Sequence, residues 1–347
     1  MPERKSARNV LIFLLFLVVA ILLVKVVTPS GLSSSPDSLF YLGMADSFQK
    51  GAGANVLDRS PENFGQQVYE AVTIWQPLYP AFLATVLPGT PSINNVQYVS
   101  AFLIAVTMVT ILLLLSRVVS VSIACLLCLL YCITVPVLLD YSFVWSETLF
   151  LPLYCGILWA IVKYLEQSLE NASTRGGYLI LLGVIIGVLF YTRYSGVGAA
   201  LILVYVFIVS KTRKTDLPYF IIAGLIFSLP ILYLMYSNLQ ITGSVTGAER
   251  AVSALGIADN FDHVRSSLAI IFPTIGFIWL VCIALATLLV VGIGRSTIII
   301  EHAKTDNACP AAIILQTSFF LTIFYLVSIV VLRSIKFFDE IGIRLIS

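Results

Sequence analysis

Nine stretches of this 347-residue sequence stay apolar for about the length of a bilayer crossing: near 9–27, 94–115, 119–139, 143–163, 177–192, 194–210, 217–236, 268–293 and 311–332. Inside hydrocarbon the backbone has to satisfy its own hydrogen bonds, so each run is expected to coil into a helix. The fold class is then an all-α integral membrane protein of about nine transmembrane helices. A hydrophobic fraction of 59% against 11% charged residues leaves no soluble domain between the spans. Residues 1–347 read as one polytopic domain, with a main helical module over 9–236, an outer loop over 237–267 and the last spans in 268–347.

The N-terminal MPERKSARNV followed by an apolar run has the outline of a secretory signal, but no small-x-small cleavage pattern follows Val27. It is read as an uncleaved first helix. Lys25, near its end, either snorkels to the headgroups or meets a lipid phosphate. With the N-terminus cytoplasmic, eleven of the twenty basic residues fall in inner segments, which sets the orientation. Both long loops, 28–93 and 237–267, are then extracytoplasmic, and the expected location is the plasma (inner) membrane. The basic residues are scattered among short loops and form no patch, so no nucleic-acid partner is expected.

Residues 33–91 carry the densest pattern. Ser35, Pro36 and Asp37 are a helix start: a capping hydroxyl, a proline at the first position and an acid in the first turn. Tyr41 and Ala45 continue the stripe of Asp37, and Phe40, Met44 and Phe48 form an apolar stripe beside it. Further on, Pro80 to Leu87 would cover about 12 Å as a helix, too little to span. Trp75 and Tyr79 favour the headgroup level. Two juxtamembrane helices in the first outer loop are therefore expected.

Several ionisable residues converge on the outer side: Asp37, Asp140, Glu147, Arg193, Glu249, Arg250, Asp262, His263 and Arg265, then Arg333, Lys336, Asp339 and Arg344. Such residues at the rim of a bundle are costly and point to function. A mixed acidic and basic set suits a reaction that needs a general base and a stabilised anion. Each has a plainer role as well. Asp37 interacts favourably with a helix N-terminus, Glu147 starts a helix with Ser146 as its cap, and Arg193 marks a membrane boundary. The outer loops contain no Asp-x-Asp pair, and the chain has no Walker loop, no Gly-x-Ser-x-Gly and no His-Glu-x-x-His. No metal or cofactor is expected. Cys125, Cys128 and Cys132 share a helix face and read as packing residues. Asn171-Ala172-Ser173 fits a glycosylation acceptor but falls on the cytoplasmic side, Lys211 to Asp216 reads as a topology anchor, and Gly183 with Gly187 suits close helix packing.

The order of these signals resembles a known family. Pro36-Asp37-Ser38, Tyr41, Ala45 and Gly51, followed by Gln76-Pro77-Leu78-Tyr79-Pro80, is similar to the first outer loop of GT-C superfamily glycosyltransferases. The branch it resembles includes protein O-mannosyltransferases and lipid A aminoarabinose transferases. Later matches are Ser146-Glu147-Thr148-Leu149-Phe150, Thr192-Arg193-Tyr194-Ser195-Gly196 and the segment from Asn238 to Arg250. The resemblance implies a transferase that takes sugar from a polyprenyl-phosphate donor, with inversion, and gives it to a lipid, glycan or protein acceptor. Asp37 would be the catalytic base and Glu147 a second catalytic carboxylate. Arg193 and Arg250, with Lys25 behind them, would hold the phosphate, and Tyr41 and Tyr79 would contact substrate. The chain ends in FFDEIGIRLIS after an odd ninth span, so 268–347 reads as an incomplete C-terminal part. The other readings are a transporter or flippase for lipid-linked glycans, which would carry charges at mid-span, and an inactive scaffold of an envelope-assembly complex.

Overall fold

The computed structural model describes residues 2–248, apart from 59, 64–66, 88, 168–170, 211 and 246, together with 317, 318, 320–322 and 325. Over these the chain is mostly helical, and five helices are long and apolar enough to cross a membrane. They are α1 (Pro2–Val27), α4 (Ile93–Leu115), α7 (Glu147–Glu166), α8 (Ala172–Thr192) and α10 (Arg213–Thr242). Expected span 268–293 lies outside the described residues, and 311–332 lies almost wholly outside them. The described residues up to 248 divide into two compact units, those in 2–155, 191–193 and 235–248 forming one and those in 156–190 and 194–234 the other.

In the first unit, α1 turns Phe16, Ala20 and Val24 inward and leaves Leu11, Leu15, Leu22 and Val26 exposed. The spacing of four puts the buried three on one stripe, and the apolar remainder is the surface of a helix that meets lipid. Pro29 stops the helix. Just before it, the Gln97 side-chain amide of α4 donates to the Thr28 carbonyl at 2.5 Å and to its hydroxyl at 2.8 Å. That polar clasp puts the end of α1 beside the start of α4.

Both juxtamembrane helices form: α2 (Pro36–Gln49) and α3 (Leu78–Val86). The Ser35 hydroxyl caps α2 by accepting from the Ser38 amide at 3.2 Å. The face that α2 buries is Ser38, Tyr41, Met44 and Ala45. Phe40 is only half-buried and stacks on Trp75 at 4.2 Å, and Phe48 is half-buried too. At the far end the Gln49 amide donates to the carbonyls of Ala84 (3.2 Å) and Leu87 (2.9 Å), which satisfies carbonyls that the last turn of α3 leaves unpaired. Between these helices runs an antiparallel hairpin, β1 (Asn55–Leu57) and β2 (Tyr69–Ala71), with Val56 opposite Glu70. This small hairpin is an unexpected addition to a chain that is otherwise helical, as expected.

A correction concerns 119–139, expected as one span. It is broken into α5 (Val121–Cys132) and α6 (Val135–Asp140). Pro136 sits in the first turn of α6, where its missing N–H costs nothing. Continued as one helix, the same proline would remove a hydrogen bond and clash with the preceding turn.

In the second unit a 3₁₀ turn (Tyr194–Ala199) leads into α9 (Ala200–Val209). Helices α8 and α10 approach closely at Gly183, where a Cβ would come within 2.6 Å of the Ala223 carbonyl oxygen and 2.8 Å of its Cα. Gly187 leaves more room, at 3.5 Å from the Phe227 Cα. Asn171, in the glycosylation-like tripeptide, caps α8: its side-chain oxygen accepts from the Thr174 amide at 3.2 Å. Asp216, read as part of a bare topology anchor, is instead buried. The Arg175 guanidinium donates to it at 2.9 and 3.0 Å, Tyr164 donates at 3.0 Å and Thr212 at 2.5 Å. This two-point guanidinium–carboxylate fork binds the starts of α8 and α10 to the last turn of α7.

Candidate active site

Four side chains from three distant stretches meet in the first unit: Tyr41 on α2, Ser146 and Glu147 at the start of α7, and Arg193 just past α8. The segment before α7 is what docks α2 there. Ser33 donates its amide to the Ser142 carbonyl at 2.7 Å. The Trp145 indole donates to the Ser35 hydroxyl at 2.8 Å, on the cap of α2 itself. Because Tyr41 lies one and a half turns into α2, its phenol then points at the first residues of α7.

The Tyr41 hydroxyl donates to the Ser146 hydroxyl at 3.1 Å. That hydroxyl also makes long contacts of 3.5 Å with the Glu147 carboxylate and with Nη1 of Arg193. Arg193 and Glu147 form an ion pair whose side chains are 12% and 10% exposed. Ser146, expected as a plain helix cap, thus has its side chain in this network. Burial pushes the Tyr41 phenol up to about 12; the Arg193 charge pulls it down and the Glu147 charge raises it. The ring of Tyr79 stands perpendicular to that of Tyr41 at 5.2 Å. Tyr79 is fully buried, and burial raises its phenol well above the ordinary value, the Thr148 hydroxyl acting the other way. It packs behind Tyr41 and does not open onto solvent.

Asp37 is half-buried in the first turn of α2, one turn before Tyr41 on the same face. Asp140 is buried at the end of α6. Lys25 lies elsewhere: it is exposed, with its ammonium 4.9 Å from the centroid of the Tyr98 ring. Arg250 lies outside the described residues, as do Glu249, Asp262, His263, Arg265, Arg333, Lys336, Asp339 and Arg344. The chain leading toward Arg250 ends its described course at Ala248, whose amide donates to the Thr73 hydroxyl at 2.9 Å. So the beginning of the second long loop is joined to the first.

Sequence reasoning named Tyr41, Glu147 and Arg193 separately. It missed the Ser146 hydroxyl as the group that joins them. Chemically the cluster holds a guanidinium against the carboxylate at the start of α7 and joins both, through Ser146, to Tyr41 of α2.

No protein-family model matches the chain, and no curated protein matches it. Among solved structures it is similar to the archaeal oligosaccharyltransferase AglB from Archaeoglobus fulgidus, determined in complex with an inhibitory peptide and a dolichol-phosphate. The identity is 14% and the TM-score 0.49, over 93% of this chain and 38% of that one. The chain thus spans well under half the length of that protein. A likeness of this strength decides nothing about chemistry, and the reading of the site rests on its own residues.

Proposed function

We propose that this protein is a membrane glycosyltransferase that moves a sugar from a polyprenyl-phosphate carrier to an acceptor hydroxyl at the extracytoplasmic face. The observation that carries the reading is the buried Arg193–Glu147 pair, tied through Ser146 to the helix that presents Asp37. In the reaction the Asp37 carboxylate takes the proton of the acceptor alcohol as its oxygen attacks the anomeric carbon. The bond from that carbon to the phosphate oxygen breaks, and the carrier phosphate leaves with the electron pair and one more negative charge. A single displacement of this kind inverts the anomeric centre. Arg193, with Arg250 from the second loop, stabilises the departing phosphate, because a fixed cation in a dry site acts where charge develops. Glu147 in this account is a positioning residue: it holds the guanidinium of Arg193 against the start of α7.

The test is transfer itself. Membranes containing the protein, supplied with a panel of labelled polyprenyl-phosphate sugars, are expected to yield a new glycosidic bond. Asp37→Asn is expected to lower the rate by at least about a hundredfold, the scale of a lost general base, while insertion is unchanged. Wild-type rates in that variant would remove Asp37 as base. Movement of carrier lipid across vesicles with no new bond would replace the transferase by a transporter.

A further inference from the structure

Away from this cluster, α3 and α4 enclose an apolar cleft of about 530 Å³, lined by Phe82 and Val86 on one wall and by Asn95, Tyr98, Val99 and Phe102 on the other. That is within the range of cavities, about 300–1,000 Å³, that take a small-molecule-sized group. Its lining is graded. Asn95 lies in the first turn of α4, Tyr98 one turn on, and Phe102 a further turn on, about 10 Å along the axis. A lining that is polar at one end and apolar along the rest fits an amphiphile lying lengthwise, head at Asn95 and tail toward Phe102. Beside the cleft stands Lys25, whose ammonium lies 4.9 Å from the centroid of the ring of Tyr98, one of the lining residues. Among the described residues no carboxylate pairs with its ammonium. Tyr98, Phe102 and Val86 are all exposed, so the cleft faces sideways, where the surrounding bilayer would reach it.

We propose that this cleft is a site for a resident anionic phospholipid. One acyl chain lies between α3 and α4, and the lipid phosphate meets Lys25. The site is distinct from the Glu147–Arg193 cluster, and the proposal does not depend on the transfer reaction. The choice of bulk phospholipid over a scarce carrier lipid follows from the lateral opening, since membrane lipid is the most abundant amphiphile at that surface.

The experiment is native mass spectrometry of the full chain released from nanodiscs of equimolar phosphatidylglycerol and phosphatidylcholine. Wild type is expected to retain phosphatidylglycerol about fivefold over phosphatidylcholine, the scale of one basic residue near an anionic lipid. Lys25→Gln, a surface change that leaves the helix intact, is expected to bring that ratio to about one. Val99→Trp, which fills the cleft, is expected to lower retention of both lipids. An unchanged ratio in Lys25→Gln overturns the proposal, as does wild-type retention in Val99→Trp. So does displacement of phosphatidylglycerol by stoichiometric undecaprenyl phosphate, which would return Lys25 to the sugar donor.

Discussion

Tyr41 puts its hydroxyl where a phenolate would have little water around it, and this sets the direction of its pH effect. Burial raises the phenol in the folded protein to about 12, whereas the unfolded chain releases the same proton near pH 10. Between these values the unfolded state has lost a proton that the folded state keeps, so stability falls as pH rises. The contribution of Tyr41 is therefore complete below about pH 10 and drains away toward pH 12. Melting temperatures in detergent are expected to fall across that window more for wild type than for Tyr41→Phe. At neutral pH the same variant should be weaker by about 1 kcal/mol, the worth of its bond to Ser146. A second expectation concerns Glu147→Gln, which leaves the Arg193 guanidinium buried without its carboxylate and should cost about 3 kcal/mol. Adding Arg193→Gln should restore part of that loss. Strictly additive losses in the double variant would show that the two side chains are not coupled.

Elements differ in how openly the sequence announces them. Helix α2 could be read from Ser35, Pro36 and Asp37 alone, because capping is chemistry between residues three apart. The β1–β2 hairpin could not, since each strand is three residues long and too short for an alternating pattern. The length of the apolar run 119–139 points to one continuous span, and the chain instead breaks just before Pro136, although α7 and α10 run on through their own internal prolines. The site was legible as a set of charged residues and illegible as a contact. Glu147 and Arg193 are 46 positions apart, and no local pattern says which acid meets which base. Gly183 and Gly187 were read together as packing glycines, and the structure separates them. Gly183→Ala drives a methyl group into the backbone of α10 and should cost about 1–3 kcal/mol. Gly187→Ala meets only ordinary contact and gains helix propensity, so its melting temperature should match wild type or rise slightly. Equal losses at both positions would sink this account of the α8–α10 seam.

On the scale of the whole molecule, the apolar outer faces of α1 and α10 make the chain a membrane protein, while its orientation remains a proposal drawn from the basic residues. Helix α4 offers a direct check. Leu32 bonds to Ile93 at its start, and Val118 is exposed just past its end. An impermeant maleimide is expected to label Ser34→Cys on intact right-side-out vesicles, over the native-cysteine background. Val118→Cys is expected to react only after the vesicles are opened. The reverse pattern would place the first long loop, and Asp37 with it, in the cytoplasm. Finally, α2 is fastened at both extremities, by the Trp145 indole on its cap and by Gln49 on the tail of α3. An acid moored in this way does not travel to its cargo. In the proposed transfer, the long-tailed donor would have to reach that acid by diffusion in the bilayer, so turnover is expected to follow lipid fluidity more closely than any hinge within the protein.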